Sequence, residues 1–167
     1  MPTSTASSSV VVEAKGLPRE LSKGLLQSAI STLLEGRGGV VSFLFTDDRQ
    51  IRSLNRQYRS KDEATDVLSF PLYDLEPGAA WPDSPTSLPL QLGDVAVSVD
   101  MARRQAVQAG HSVQTELLML CLHGTLHLIG YDDDTAKGRR TMNRLATEAL
   151  AKVGIDADPE WYSRHYD

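Results

Sequence analysis

Apolar positions follow two alternating periods along the chain. Val10-Val11-Val12 is a short β-branched run and reads as a strand. Pro18 stands where a helix can begin, and Leu21, Leu25, Leu26, Ala29, Ile30, Leu33 and Leu34 then recur at helical spacing. Gly36, Gly38 and Gly39 stop that helix. Residues 40–45 read as a second strand. Asp47 or Asp48 caps a helix with Ile51, Leu54, Asn55 and Tyr58 on one face. Residues 67–73 form a third strand, in which Pro71 marks an edge or a strand end. Residues 74–89 hold Pro77, Pro82, Pro85 and Pro89 and read as a long loop. A fourth strand follows over 92–99. Helices are expected over about 100–109, 113–129 and 136–153, with Gly130 ending the second in the left-handed conformation. Strands come first and helices crowd the second half. The fold class is therefore α+β: a small mixed four-stranded sheet packed with about five helices.

The chain has 167 residues, 41% of them hydrophobic and 23% charged, which suits one domain with a real core. That balance excludes collagen-like, coiled-coil and wholly disordered chains. Residues 1–9 are Ser/Thr-rich without apolar periodicity and read as a disordered tail, ahead of a single domain over 10–167. No apolar run approaches the ~18–20 residues of a membrane helix; the longest, 117–129, is broken by His123, Gly124, Thr125 and His127. No secretory signal pattern opens the chain, so a cytoplasmic location is expected and a membrane partner is not. Cys121 is the single cysteine, so no internal disulfide forms. In an apolar helix it reads as a small buried residue. The net charge of −5 excludes coating nucleic acid by bulk charge, though not a local basic cleft.

The densest chemistry lies in His123-Gly124-Thr125-Leu126-His127-Leu128-Ile129-Gly130-Tyr131-Asp132-Asp133. His123 and His127 leave one helix face a turn apart, close enough to share a cation at the end of a central helix. Gly130 lets the chain reverse, and Asp133 returns as a third ligand, with Asp134 the alternative. Two imidazoles and a carboxylate suit one divalent metal with an open position, zinc first and nickel or iron next. A histidine pair at this spacing is by itself common on ordinary helices. The competing picture has each imidazole bonded to a backbone carbonyl and the acidic turn solvated. The spacing also matches the His-x-x-x-His-x-x-Gly-x-x-ligand pattern of metzincin proteases. Those carry Glu after the first His as general base, where this chain has Gly124.

With two further stretches, this one resembles the YbeY family of bacterial metal-dependent endoribonucleases. One is Asn55-x-x-Tyr58-Arg59-x-Lys61-Asp62-x-x-Thr65-Asp66-Val67-Leu68-Ser69-Phe70-Pro71, and the other is Leu92-Gly93-Asp94-Val95-Ala96-Val97-Ser98. The resemblance implies an α+β fold and a metal held by His123 and His127. The family's third ligand is His, and Asp133 stands there in this chain. It also implies a role in activity for Arg59, whose guanidinium suits the charge of a phosphodiester transition state. The implied work is cleavage of single-stranded ribosomal RNA precursor, at the small-subunit 3′ end, with ribosome quality control. The implied partners are that RNA and the small ribosomal subunit, and no DNA. A non-catalytic assembly or RNA-binding factor and a metallopeptidase are the rivals.

Other basic residues offer a path for RNA. Arg52, Arg56 and Arg59 form one helical stripe, Lys61 follows, and Arg103-Arg104 and Lys137, Arg139, Arg140 and Arg144 form two clusters. Of these Arg56, Lys61, Arg139 and Arg140 are the candidate RNA contacts, against the ordinary reading of solvated helix faces. For Arg59 the ordinary alternative is an ion pair with Asp62 or Asp66. Thr65-Asp66 and Gly93-Asp94 read as structural, His111 as a helix-start or surface residue, and His165 as part of the C-terminal tail.

Overall fold

The structure is a computed structural model and describes residues 9–161. Most of the expected N-terminal tail, residues 1–8, lies outside the described residues, as does His165. Ser9, the last residue of that expected tail, is tied in, its carbonyl accepting the Gly39 N–H at 3.0 Å. The described elements are β1 (Val10–Lys15), α1 (Lys23–Leu34), β2 (Gly39–Thr46), α2 (Asp48–Arg59), β3 (Val67–Pro71), β4 (Gln91–Ser98), α3 (Val99–Ala109), α4 (Val113–Leu128) and α5 (Ala136–Lys152). The sheet runs β1-β2-β4-β3, with β1, β2 and β4 parallel and β3 antiparallel to β4. The α+β expectation, four strands in a mixed sheet with five helices, therefore holds among the described residues. β3 is an edge strand, which is what permits Pro71 at its end.

Each helix start is written in one side chain. Ser22, Asp47, Ser98, Ser112 and Thr135 each accept a hydrogen bond from the backbone N–H three residues on. A cap of this kind is worth about 1 kcal/mol. The expected start of α1 shifts for this reason: Leu21 precedes the Ser22 cap, in a turn closed by its N–H on the Pro18 carbonyl at 3.1 Å. Leu21 is still buried, so the apolar pattern was right about burial and wrong about helicity.

The two sheet faces are unequal. Val41, Phe43, Phe45, Val95 and Val97 face the main core with α1, α4 and α5. The opposite face carries a small cluster of Ile51, Leu68 and Ala96 under α2. Helix α4 is central: Leu117, Leu118, Met119, Leu120, Cys121 and Leu122 are all 0% exposed. A helix apolar on every side must be surrounded, and α4 is. Burial pushes the Cys121 thiol far up, so it stays protonated at neutral pH and is no nucleophile. No helix among the described residues is long and apolar enough to cross a membrane.

Candidate metal centre and its cleft

The last turns of α4 carry His123 and His127. Their Nε2 atoms stand 3.2 Å apart, and Asp133 Oδ2 lies 3.0 Å from the first and 3.1 Å from the second. The turn that returns Asp133 is built from the helix end. The Tyr131 N–H donates to the Leu126 carbonyl at 3.0 Å, and Gly130 takes φ 106°. A Cβ at Gly130 would meet the Leu75 carbonyl oxygen at 2.3 Å, so the Pro-rich loop after β3 is seated directly on this turn. Arg139 Nη1 donates to the Asp133 carbonyl at 3.0 Å and closes the turn from α5. Asp133 is 3% exposed. Asp134 is exposed and its N–H bonds Asp132, so the alternative third ligand is outside the cluster.

The donor set fits a divalent cation. The Tyr131 carbonyl lies 3.0 Å from His127 Nδ1, which places the imidazole N–H there and turns the Nε2 lone pair toward Asp133. Bonds of about 2.0–2.1 Å in tetrahedral geometry hold ligand atoms roughly 3.3 Å apart, close to what the three atoms show. A buried carboxylate oxygen facing two imidazole nitrogens calls for positive charge between them, as protons or as a cation. His123, His127 and Asp133 are the group among the described residues whose ligand atoms converge in this way.

The centre opens onto a cleft of about 490 Å³ whose lining includes Arg59, Lys61, Ser69, His127, Asp132 and Asp134. Arg59 reaches it from the last turn of α2. Its Nη2 donates to the Ser69 carbonyl at 2.5 Å, not to Asp62 or Asp66 as the ion-pair alternative supposed. Ser69 in turn donates through Oγ to the Gly124 carbonyl at 2.9 Å. One edge-strand residue thus ties the arginine wall to the histidine helix. Asn55 Nδ2 donates to the Glu63 carbonyl at 2.9 Å and fixes the loop that carries Lys61.

Of the candidate RNA contacts, Lys61 is in the cleft and Arg56 lies exposed one turn before Arg59. Arg140 is exposed on α5, and Arg139 is engaged in holding Asp133. Several of the other basic residues pair with carboxylates. Arg52 binds Asp62 at 2.9 Å, Arg103 binds Glu20 at 2.6 Å, Arg104 binds Asp48 at 2.7 Å and Arg144 binds Glu148 at 3.3 Å. The hydrogen bond from Arg103 holds the Glu20 carboxyl below its ordinary range. The Arg52 member of the helical stripe and the Arg103-Arg104 cluster are therefore ordinary ion-paired surface.

Sequence reasoning missed the support behind His123. Glu116 is 1% exposed inside α4 and accepts from Gln105 Nε2 at 2.8 Å and from Trp161 Nε1 at 3.0 Å. His111 stands at the helix start, just before the Ser112 cap, and its Nε2 lies 2.6 Å from Glu116, so it anchors this network. The Trp161 ring then packs edge-on against the His123 ring, centroids 5.8 Å apart. The available signal was Glu116 itself, a lone acid opening an apolar helix. Trp161→Phe keeps a smaller aromatic ring and removes one donor to a buried carboxylate. It is expected to lower stability by about 1–3 kcal/mol in a denaturant titration.

The metzincin-like spacing ends at Gly124. A Cβ there would lie 2.5 Å from Val95 Cγ1 and 3.2 Å from both Ser69 Oγ and Val67 Cγ2. Helix α4 rests on β3 and β4 at this point, so the position of the peptidase base has no room for a side chain. Of Thr65-Asp66, the buried Asp66 carboxylate accepts from Gln105 Nε2 at 3.5 Å, while Thr65 lines the cleft.

Known proteins are similar to this chain in sequence and in fold. A protein of Pelotomaculum thermopropionicum called Endoribonuclease YbeY is 42% identical over 136 residues, covering 79% of this chain and 86% of that protein. The Listeria welshimeri protein of the same name is 38% identical over 141 residues, covering 83% and 88%. A solution structure from Thermotoga maritima superposes with a TM-score of 0.55 at 23% identity, covering 91% of this chain and all of that one, and speaks for the fold alone. The family model described as Endoribonuclease YbeY matches residues 10–154, which takes in the nine described elements and the whole candidate metal cluster, and the chain belongs to that family.

Proposed function

We propose that the protein is a metal-dependent endoribonuclease of single-stranded RNA. It matures the 3′ end of small-subunit ribosomal RNA, in the cytoplasm and on or near the small subunit, and serves ribosome quality control. The observation that carries this reading is the convergence of His123, His127 and Asp133 at one end of a cleft whose other wall is Arg59 and Lys61. His123 Nε2, His127 Nε2 and Asp133 Oδ2 would hold one divalent cation, zinc before nickel or iron. Such a cation supplies Lewis acidity toward a phosphate oxygen and toward water.

The chain's own groups do the rest. Arg59 has one nitrogen on the Ser69 carbonyl and offers its remaining donors to two phosphate oxygens, with Lys61 as a second point charge. The hydrogen bonds through Ser69 keep that guanidinium at a fixed distance from α4, so phosphate is positioned before chemistry begins. Asp132 and Asp134 are exposed carboxylates of the cleft and can take the proton released by the attacking water.

The test is cleavage of a 3′-extended small-subunit precursor by purified protein, with and without chelator. Arg59→Ala, purified in parallel, is expected to cut about 10²–10³-fold more slowly while keeping its metal content. Arg59→Lys recovers part of the loss, because it restores charge without the bidentate fork. Cutting by neither protein with metal bound would move the chain to the non-catalytic RNA-binding role, and equal chelator-sensitive cutting by both would take Arg59 out of the chemistry.

A further inference from the structure

Helix α2 leaves one position of its apolar face uncovered. Ile51 and Asn55 are buried, and Tyr58 lies on the same face at the next helical step. The sheet ends at the edge strand β3, so Tyr58 overhangs it and is 59% exposed. Its ring meets Phe70 of β3 edge-on, with centroids 5.4 Å apart and planes at 72°. An edge-on contact of this kind fixes the ring while leaving much of its face to solvent.

Tyr58 and Phe70 do not line the cleft themselves, but their chain neighbours do. Arg59 is the next residue, and its Cζ stands 5.9 Å from the Phe70 ring centroid. Ser69 and Pro71, on either side of Phe70, both line the cleft. Arg59 and Lys61 supply positive charge on the cleft side, and the neighbouring acid Asp62 is bonded to Arg52. An exposed aromatic ring held rigid beside cations is an arrangement that binds single-stranded nucleic acid, a base stacking while the cations meet its phosphates.

We propose that Tyr58, braced by Phe70 and next to Arg59 and Lys61 of the cleft, is a stacking platform for one unpaired base of single-stranded RNA, beside the phosphate held by Arg59. The inference rests on the endoribonuclease reading of the cleft and deepens it. It gives the site a physical reason to prefer single strands, since a base held in a duplex cannot lie on Tyr58. It also makes the contact tolerant of sequence, because stacking reads a ring face and not a pattern of donors.

Binding of a short fluorescent oligoribonucleotide, read by anisotropy at fixed salt in the presence of chelator, tests this. Tyr58→Ala is expected to bind roughly ten-fold more weakly, and Tyr58→Phe to bind as the native protein does. A series of oligonucleotides with an abasic ribose at each position in turn should show one position that costs the native protein the same factor. That position should cost Tyr58→Ala almost nothing, which is the mark of a direct contact. Because Tyr58 is exposed, circular dichroism and metal content of the variant should be native. An abasic series flat for the native protein, or native affinity in Tyr58→Ala, overturns the platform. If Arg59→Ala weakens binding in the same assay while Tyr58→Ala does not, only the platform falls. If neither weakens it, the RNA reading of the cleft falls too.

Discussion

His123→Ala is expected to lose bound metal and RNA cleavage together while keeping its fold. The cluster has three ligand atoms, and removing one leaves an imidazole and a carboxylate at 3.1 Å, a pair without the geometry to retain a cation through gel filtration. The fold does not depend on that loss. α4 is held by Leu117, Leu118, Leu120 and Leu122, each 0% exposed and all preceding His123. Truncating a buried imidazole packed on Trp161 costs about 1–3 kcal/mol, which a domain of this size tolerates. Two measurements separate site from scaffold. Metal analysis should find about one divalent ion per native chain and almost none per variant. Added zinc at about a hundred times its dissociation constant should stabilise the native protein by about 2.7 kcal/mol and leave the variant's melting temperature unmoved. A variant with native metal content would sink the ligand assignment, whatever its activity. Asp133→Asn is the companion, since it preserves shape and removes the negative charge between the two imidazoles. It should weaken zinc binding less than His123→Ala does.

The two sides of the cleft differed in how far the sequence could show them. His123 and His127 are four residues apart on one helix, and helical geometry alone brings them together. The turn through Gly130 is equally local, so Asp133 was within reach of sequence reasoning. The starts of α2 to α5 were legible for the same reason, because a capping Ser, Thr or Asp acts over three residues, whereas α1 begins after Ser22 and not near Pro18. Arg59 is different. Its place opposite the metal site depends on α2 and α4 lying against opposite faces of one sheet, and on Ser69 bridging to Gly124 across 55 residues. Sheet order is a long-range property of this kind: the hydrophobic pattern named four strands but could not put β4 between β2 and β3. The basic clusters were misleading because charge is read locally and neutralised at a distance. Arg103 meets Glu20 across 83 residues and Arg104 meets Asp48 across 56. The support of His123 by Trp161 was invisible for the same reason, since Glu116 and Trp161 are 45 residues apart.

Gly124 is where the second large effect is expected. In an exposed helix, alanine would improve on glycine by about 1 kcal/mol. Here the added Cβ would fall 2.5 Å from Val95 Cγ1, and Val95 is a 0% exposed β-branched residue in the middle of β4. Its χ1 has little freedom to yield. The overlap must then be relieved by moving α4 off the sheet, at a cost of about 1–3 kcal/mol that outweighs the gain in propensity. The movement has a functional consequence, because the Gly124 carbonyl is the acceptor for Ser69, and Ser69 holds Arg59. Gly124→Ala should therefore melt at a lower temperature and also cut RNA more slowly, with metal content unchanged. Gly124→Glu, the residue a metzincin would carry, asks for a charged side chain between Val95, Val67 and Ser69. It is expected to yield no folded protein and no peptidase activity, as circular dichroism and a casein assay would show. A Gly124→Glu protein with a native melting curve would disprove the close contact between α4 and the sheet. Without that contact the peptidase alternative would be open again. With it, a side chain cannot be added after His123 without separating the two walls of the cleft, so no proton acceptor can stand at the position where a metzincin carries its glutamate.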